Sequence, residues 1–516
     1  MALLIHDLIE ISANQYPDKT AVRAGELEMS YRQLIEDSYS LARLLTAMGL
    51  APGDRLAILL PNSIHLAVLL IAASRAGLVI VPLPPYYARL QHGHILSDSQ
   101  PRALIVAPDL LNQVPAGALG LIPSLIIAAG SVQDALSKAG QVAVGIQPQR
   151  LQQGQDPIYL LAYTSGTTGH SKGVVQTQLR LVERIGIFVR ALSLSADDST
   201  IACYSIGRPL NLVFSFLAPL SVGGTVTLLE RFDGELFWKA YVRAQPTYGF
   251  SRPSSLRELM SQTGAAAADH SRLRFWITGG DIPSEEVHRQ MLATTGRPLI
   301  NMYGATEVGF LAINPSGNPM KPSSIGRPME TAEMKLVDAD GREVETGHVG
   351  KLLARTAHMM LGYWNSVTQT PELSVDGWFD TQDLVRVDEE GCFWFMGRTA
   401  DLILRDGMKV ASNMLLDRLT QHPTIVEAVV VGIRNDRVGQ LPVAFYQLAP
   451  GAEEKPTQEA LRSWIEGWVD AMSIPVWFHP VDEWPQTSEG KIDRRRLIEL
   501  AEASSQVYED ADLITG

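Results

Sequence analysis

Apolar side chains at Leu181, Ile185, Phe188 and Leu192 recur at intervals of four, three and four, the signature of one buried helix face. A short apolar run at residues 159–163 precedes them and reads as a buried strand. The same two patterns alternate upstream. Ser30 and Gln33 form a capping box ahead of an apolar-periodic helix that Gly49 stops. Residues 55–60 read as a strand, Asn62 or Ser63 as the cap of the next helix, Gly77 as its end, and residues 78–81 as another strand. This alternation predicts an α/β fold, a parallel sheet covered on both faces. Residues 1–150 are expected to serve mainly as scaffold. Residues 322–399 change character, with short strand-like runs and turns that predict a small β-barrel closing a large domain. Strands at 425–432 and 441–448 and a helix near 458–469 predict a small α+β domain at the end.

A chain of 516 residues is too long for one core, so two or more domains are expected. The boundary falls within 397–409, giving a large N-terminal domain at 1–399 and a small C-terminal domain at 400–516. Composition is that of an ordinary globular protein, 46% hydrophobic and 19% charged. A net charge of −13 argues against a nonspecific nucleic-acid surface. Cys203 and Cys392 stand far apart with no CxxC spacing, which argues against a disulfide framework or a thiolate zinc site. The first residues lack a basic region and a cleavage site, so no signal peptide is expected. The most apolar run, 66–73, is too short to span a bilayer. These features predict a cytoplasmic protein, as monomer or homodimer.

Between the 159–163 strand and the amphipathic helix, residues 163–175 read YTSGTTGHSKGVV. Glycines let backbone N–H groups turn toward an oxyanion. Thr164, Ser165, Thr167 and Thr168 add hydroxyl donors, and Lys172, expected in a tight turn, adds charge. A polyphosphate is the natural guest. The P-loop order of Gly-Lys-Ser/Thr is absent, because Lys172 follows Ser171 and precedes Gly173. Further on, residues 301–307 read NMYGATE after a short strand at 298–300. An aromatic face at Tyr303 can stack on adenine, and Gly304 permits close backbone approach. Thr306 can donate to phosphate, and Glu307 can hold Mg²⁺ through oxygen.

The lysine loop resembles the YTSGTTGxxKG phosphate loop of the adenylate-forming enzymes: acyl-CoA synthetases, luciferases and peptide-synthetase adenylation domains. Three further strings match in family order. NMYGATE resembles the nucleotide motif, DGWFDTQDL at 376–384 resembles DGWFxTGDL, and PQTSEGKIDRRRL at 485–497 resembles PRTxSGKIxRxxL. The resemblance covers nearly the whole chain. It implies ATP or AMP contacts from Thr164, Ser165, Gly166, Thr167, Thr168, Gly169 and Lys172, and from Gly279, Gly280 and Asp281 after the 274–280 strand. It extends them to Asn301, Met302, Tyr303, Gly304 and Thr306, to Asp383 and Arg398 on the ribose, and to Lys491. The stretch 203–224 is implied to line the acyl pocket. Counting back from Gly223 places Arg208 where the family often has histidine, and the neighbourhood a little later, where peptide-synthetase domains put an aspartate for an α-amine, is Leu210, Asn211 and Leu212. An α-amino acid is therefore disfavoured. Arg252 and Gly304 would complete the acyl site; two arginines suit a second carboxylate or a polar oxygen, while Asn211 and its apolar neighbours equally permit an aromatic or terpenoid acid. Gly407 and Lys409 would face coenzyme A.

The resemblance implies a two-step ligase. A carboxylate attacks the α-phosphorus of ATP, giving acyl-AMP and pyrophosphate, and a thiol then takes the acyl group from AMP. Lys491 would join the two anions, with Lys172, Thr306 and Mg²⁺ on Glu307 managing the phosphates. The small domain would reorient between steps, because Lys491 and Gly407 serve different ones. Departures from the family pattern cluster at the thiol end. Ser171 replaces proline, Gln382 glycine, and Ala400 a hinge Asp or Lys; Leu404, Ser412, Met414 and Leu416 also depart. A carrier-protein thiol or an amine is thus an alternative acceptor, and a non-catalytic ATP-binding relative is a third reading. His92 and His94 lack an evident third ligand and read as ordinary surface or helix-face residues.

One rival comes from another class. The residues from Gly169 to Gly173 formally match the GxSxG elbow of serine hydrolases. Replacing Ser171 by alanine should leave a ligase active and inactivate a hydrolase; abolished turnover in that variant would favour the hydrolase.

Overall fold

The computed structural model describes residues 3–504 apart from 86, 88, 128–154, 165–170, 284, 315–320, 322–323, 366–372, 374–375, 400–402, 406–407, 411, 436–437, 450, 453, 467–472 and 488–491. The chain divides into two compact units, Met1–Met334 with Ala354–Phe379, and Lys335–Leu353 with Asp380–Gly516.

The first unit carries two sheets. One runs, in order, Ser124–Ile127, Ala103–Val106, Arg55–Leu59, Val79–Pro82, Ile158–Thr164 and Lys172–Thr177, parallel except for the last pair. The other has a parallel core of Leu299–Ala305, Phe275–Gly279, Tyr248–Ser251, Ser199–Ala202, Thr225–Leu228 and Thr20–Ala24. Antiparallel strands close both its edges, Gly309–Ile313 and Arg327–Pro328 on one side and Leu27–Ser30 on the other. The predicted α/β alternation is present. Ser63 caps the helix Ile64–Arg75, in which all residues but His65 are buried. A helix apolar on every face must lie inside a core.

The helix Gln178–Leu192 follows directly on a strand. Thr177 accepts from the backbone N of Arg180 and so satisfies one donor of its first turn. Leu181, Ile185, Phe188 and Leu192 are all buried, as their spacing predicts. Phe188 stacks on Phe214 with ring centroids 4.3 Å apart, and Phe214 on Phe310 at 4.5 Å. This aromatic column ties the helix to the larger sheet's last strands and so fixes what the helix carries toward the site.

A four-stranded sheet is ordered Ala332–Val337, Val349–Thr356, Phe379–Val387 and Phe393–Arg398. A further sheet is built on the long antiparallel pair Ile425–Asn435 and Gly439–Leu448. Trp477–Pro480 joins it in parallel, and Ile403–Arg405 and Met408–Val410 extend it. Leu415, Leu419, Leu461 and Ile465 pack on one face, and Leu497 and Ala501 on the other. The helix expected near 458–469 is described over Gln458–Ile465. Among the described residues, no helix is long and apolar enough to cross a membrane.

Phe188→Ala should cost about 3–5 kcal/mol of stability, because the cavity opens in the core at one end of a stacked aromatic column. A urea melt should show a lower midpoint with the same slope; an unchanged midpoint would show that the column bears no load.

Candidate active site

Lys172 does not sit in a turn, as expected, but opens a strand. Ile158–Thr164 and Lys172–Thr177 pair antiparallel, with Thr164 opposite Lys172. Val174, Val175 and Thr177 are β-branched and favour extended backbone. The strand's outer edge is also covered. Val175 N donates to Gly362 O at 3.0 Å, and Trp364 N to Gly173 O at 2.7 Å. An edge paired on both sides holds Lys172 at a fixed position at the loop mouth. The loop residues Ser165, Gly166, Thr167, Thr168 and Gly169 lie outside the described residues, as do Ala400, Gly407 and Lys491.

The first 150 residues contribute more than scaffold. On the helix Arg89–Ser99, His94 Nε2 donates to the carbonyl of Ser171 at 2.9 Å. One turn on, Asp98 accepts from the Tyr163 hydroxyl at 2.5 Å and from Asn365 Nδ2 at 3.0 Å. His92 is fully buried between the carbonyls of Pro84 and Gln113. Both histidines lie on a helix face, one of the two placements expected. The helix turns both inward, and His94 with Asp98, four residues apart, braces both ends of the loop.

The NMYGATE string lies on and just beyond the strand Leu299–Ala305, which runs well past its expected end. Asn301 is buried and donates to the Ser324 carbonyl at 2.9 Å, which anchors the strand rather than presenting the amide outward. Gly304 is required by space, since a Cβ there would stand 2.2 Å from Gly309 O. Tyr303 stays half-buried, and the register slips between it and Gly304. Beyond them, Glu307 Oε1 accepts from Thr164 Oγ1 at 3.3 Å and from the Tyr363 hydroxyl at 3.4 Å. Lys172 Nζ lies 4.7 Å from the Tyr363 ring centroid. The structure thus brings together Thr164, Lys172, Glu307 and Tyr363. Tyr363 was legible only as an aromatic in the turn at 361–364.

Behind this group lies a cluster that no motif marks. Arg184, buried on the helix Gln178–Leu192, donates to Thr306 O at 3.2 Å and to His358 O at 3.1 Å. Burial pulls its guanidinium down to about 9, against the opposing pull of Glu307. His358 is fully buried, with no hydrogen-bond partner for either ring nitrogen among the described residues. Burial first, then Arg184 and Arg180, lower it to about 3.

Of the acyl-site candidates, Arg208 shares a small pocket with Tyr87, Tyr163, Thr164 and Thr306. Its Nη1 donates to the Tyr87 hydroxyl at 2.8 Å. Arg252 does not line that pocket; it stands before the helix Pro253–Ser261, 5.4 Å from the Tyr204 ring. Asn211 is buried, and its Oδ1 has no partner among the described residues. Gly279 packs where a Cβ would meet Met302 O at 2.7 Å, and Gly280 has φ +84°. Asp281 accepts from Ile282 N.

Within the second unit, Asp383 and Arg398 face each other across two antiparallel strands, and their side chains meet at 3.2 Å. Asp383 is buried. Gln382 takes φ +62°, the left-handed region that suits the glycine usual there. Lys409 lies on the strand Met408–Val410, of which only the backbone is described.

An α/β unit with a lysine at a strand mouth beside a Thr-Glu turn, and a second unit with a paired aspartate and arginine, are the features the sequence motifs lead one to expect of an ATP-dependent adenylating ligase. Comparison with known proteins agrees. The AMP-binding enzyme family model matches residues 9–364, and that of the AMP-binding enzyme C-terminal domain matches 417–491. This chain belongs to the AMP-binding enzyme family, and it is an adenylate-forming acid ligase. It is 30% identical over 512 residues to an indoleacetate–CoA ligase of Aromatoleum aromaticum, covering 96% of this chain and 98% of that one. It is 31% identical over 503 residues to the fatty acid–[acyl-carrier-protein] ligase ScoC of Streptomyces coeruleorubidus, with 94% of each covered. Its fold matches the anthranilate CoA ligase AuaEII in complex with anthranoyl-AMP, with a TM-score of 0.88 at 24% identity over 98% of each chain.

His358 yields a pH prediction. Its proton affinity is lowered on folding, so below about pH 6.5 the unfolded chain binds the extra proton and gains. Stability is intact above that point, falls as pH drops, and levels off near the folded value of about 3. Between about pH 7.5 and about pH 5 this residue should remove about 2 kcal/mol. His358→Leu should flatten that part of the urea-midpoint profile, and an unaltered slope would refute the assignment.

Proposed function

We propose that this enzyme condenses a carboxylic acid with ATP to give acyl-AMP and pyrophosphate, then transfers the acyl group to the thiol of coenzyme A. The observation that carries the reading is the Glu307 carboxylate fixed by Thr164 and Tyr363 beside Lys172. Lys172 and the loop 165–169 would take the triphosphate, with Thr306 as a further donor and Tyr303 against adenine. Asp383 and Arg398 would hold the ribose, since a carboxylate's two oxygens suit a vicinal diol. Gly279, Gly280, Asp281, Asn301, Met302 and Gly304 shape the nucleotide and acyl walls. Arg208, Asn211 and Arg252 would meet the acid, and Gly407 and Lys409 the coenzyme.

The donors suit Mg²⁺. Glu307 offers a hard carboxylate oxygen with threonine hydroxyls nearby, and the described residues hold no group of three ionisable ligands. One carboxylate plus substrate phosphates is the usual way a protein holds this ion. When bound, Mg²⁺ would neutralise the departing pyrophosphate. The chain's own part is to orient the phosphates through Lys172 and Thr306 and to supply charge through Lys491. The division at 399/400 would put Lys491, which serves the first step, and Gly407, which serves the second, on one segment apart from Lys172 and Glu307. A cytoplasmic enzyme fits this chemistry, because ATP is its co-substrate.

A second reading is favoured by the carrier-protein ligase among the relatives and by Ala400, Leu404 and Met414 at the thiol end. Offering preformed acyl-AMP to coenzyme A and to a carrier-protein thiol separates the two. The acid is best sought by pyrophosphate exchange across acids of varied size and charge. Indole-3-acetate heads that panel because of the indoleacetate relative. Lys491→Ala should lower exchange at least about a hundredfold and spare thioester formation from preformed acyl-AMP. Undiminished exchange in that variant would sink the assignment.

A further inference from the structure

The backbone of residues 306–308 is tied down at three successive carbonyls. Thr306 O accepts from Gln176 Nε2 at 2.9 Å and from Arg184 Nη2 at 3.2 Å, which fills both its lone pairs. Glu307 O accepts from Met360 N at 2.6 Å, and Val308 O from Thr356 Oγ1 at 2.8 Å. With every carbonyl turned toward the protein, the turn has one backbone arrangement. The Glu307 side chain is fixed from the other side, by Thr164 and Tyr363.

Arg184 is the charged member of that set. It is 3% exposed, and the nearest acid acting on it is Glu307. Its fork spans two segments, Nη2 on Thr306 O and Nε on His358 O, which joins the turn to the chain at 358–360 that also holds Glu307 O. Gly309 lies in the same corner, since a Cβ there would stand 2.6 Å from the His358 ring and 2.9 Å from Arg184 Nε. A cation sealed from water is costly unless hydrogen-bonded and opposed by a negative charge. Here the bonds go to the turn, and the opposing charge is the proposed metal- and phosphate-handling carboxylate.

We propose that Arg184 is a positioning residue, which sets the Thr306–Glu307 pair for the triphosphate of ATP without touching the nucleotide. The inference rests on the role given to Glu307 above. A guanidinium does this where an ammonium cannot, because only the planar fork reaches both carbonyls at once. Groups one shell behind a ligand commonly govern affinity in this way.

The test compares MgATP with AMP, which lacks the β- and γ-phosphates and their metal. Both are titrated calorimetrically into the full-length wild type, Arg184→Met, Arg184→Lys and Glu307→Gln, with urea midpoints recorded in parallel. Arg184→Met should weaken MgATP about tenfold or more while leaving AMP affinity unchanged. Arg184→Lys should recover part of the loss, which also covers the case in which the methionine variant fails to fold. Equal losses for MgATP and AMP, or none, would overturn the inference and leave Arg184 a structural residue only. If Glu307→Gln binds MgATP like the wild type, the reading of Glu307 falls and this inference with it. If Glu307→Gln is weakened and Arg184→Met is not, the inference alone falls.

Discussion

The carbonyl of Thr306 is the point on which the first unit's chemistry turns. A strand that ends inside a protein leaves backbone acceptors that must be satisfied or lose a bond's worth of free energy, about 1–3 kcal/mol each. Here the donors that satisfy them are a glutamine from the strand Lys172–Thr177 and an arginine from the helix that follows it. The two elements after the lysine loop therefore hold the turn bearing Glu307. Lys172 and Glu307 are far apart in sequence and yet share one local frame, with Tyr363 between them. The aromatic column of Phe188, Phe214 and Phe310 stiffens that frame, because it joins the same helix to the strand after the turn.

Local pattern carried much of this into view. The spacing of Leu181, Ile185, Phe188 and Leu192 marked the helix and its buried face, since helical periodicity is a property of adjacent turns. The family strings were readable because several residue types stand in each at fixed spacing. What stayed hidden depends on contacts between distant segments. Arg184 belongs to no motif, and its place shows only when the 306–308 turn is laid beside it. His94 reads as an orphan until the Ser171 carbonyl arrives next to it. The strand at Lys172 was mistaken for a turn because the glycines before it dominate the local signal, and pairing with 361–364 settles the matter.

Gly304 and Gln382 show two ways in which a motif position constrains backbone. At Gly304 the constraint is space, with a carbonyl oxygen where a Cβ would go, and no side chain can be accommodated. At Gln382 the constraint is conformation. A left-handed φ costs a non-glycine residue about 1 kcal/mol, which a well-bonded turn can absorb. That turn is well bonded: Gln382 N donates to Asp380 Oδ1 at 3.0 Å, Asp383 N to Thr381 Oγ1 at 3.2 Å, and Lys351 pairs with Asp380 at 2.8 Å. The family's glycine is therefore a preference of energy and not of fit, so Asp383 keeps its place although the letter beside it has changed.

Anion chemistry in a chain of net charge −13 poses an electrostatic problem. Unscreened, the whole molecule repels a polyphosphate, but beyond about 10 Å salt removes most of that field at ordinary ionic strength. What a phosphate meets at short range is set by the nearest groups. In the first unit the candidates for this among the described residues are Lys172 at the loop mouth and Arg208 in the pocket with Thr164 and Thr306. Glu307 would be a repulsive neighbour on its own. A carboxylate at that place becomes useful only with a cation to share, and Arg184 from behind cannot be that cation, because it is sealed from the pocket side by the turn it supports. The Glu307 carboxylate, oriented by Thr164 and Tyr363, is the hard oxygen that would suit Mg²⁺ in the proposed reading.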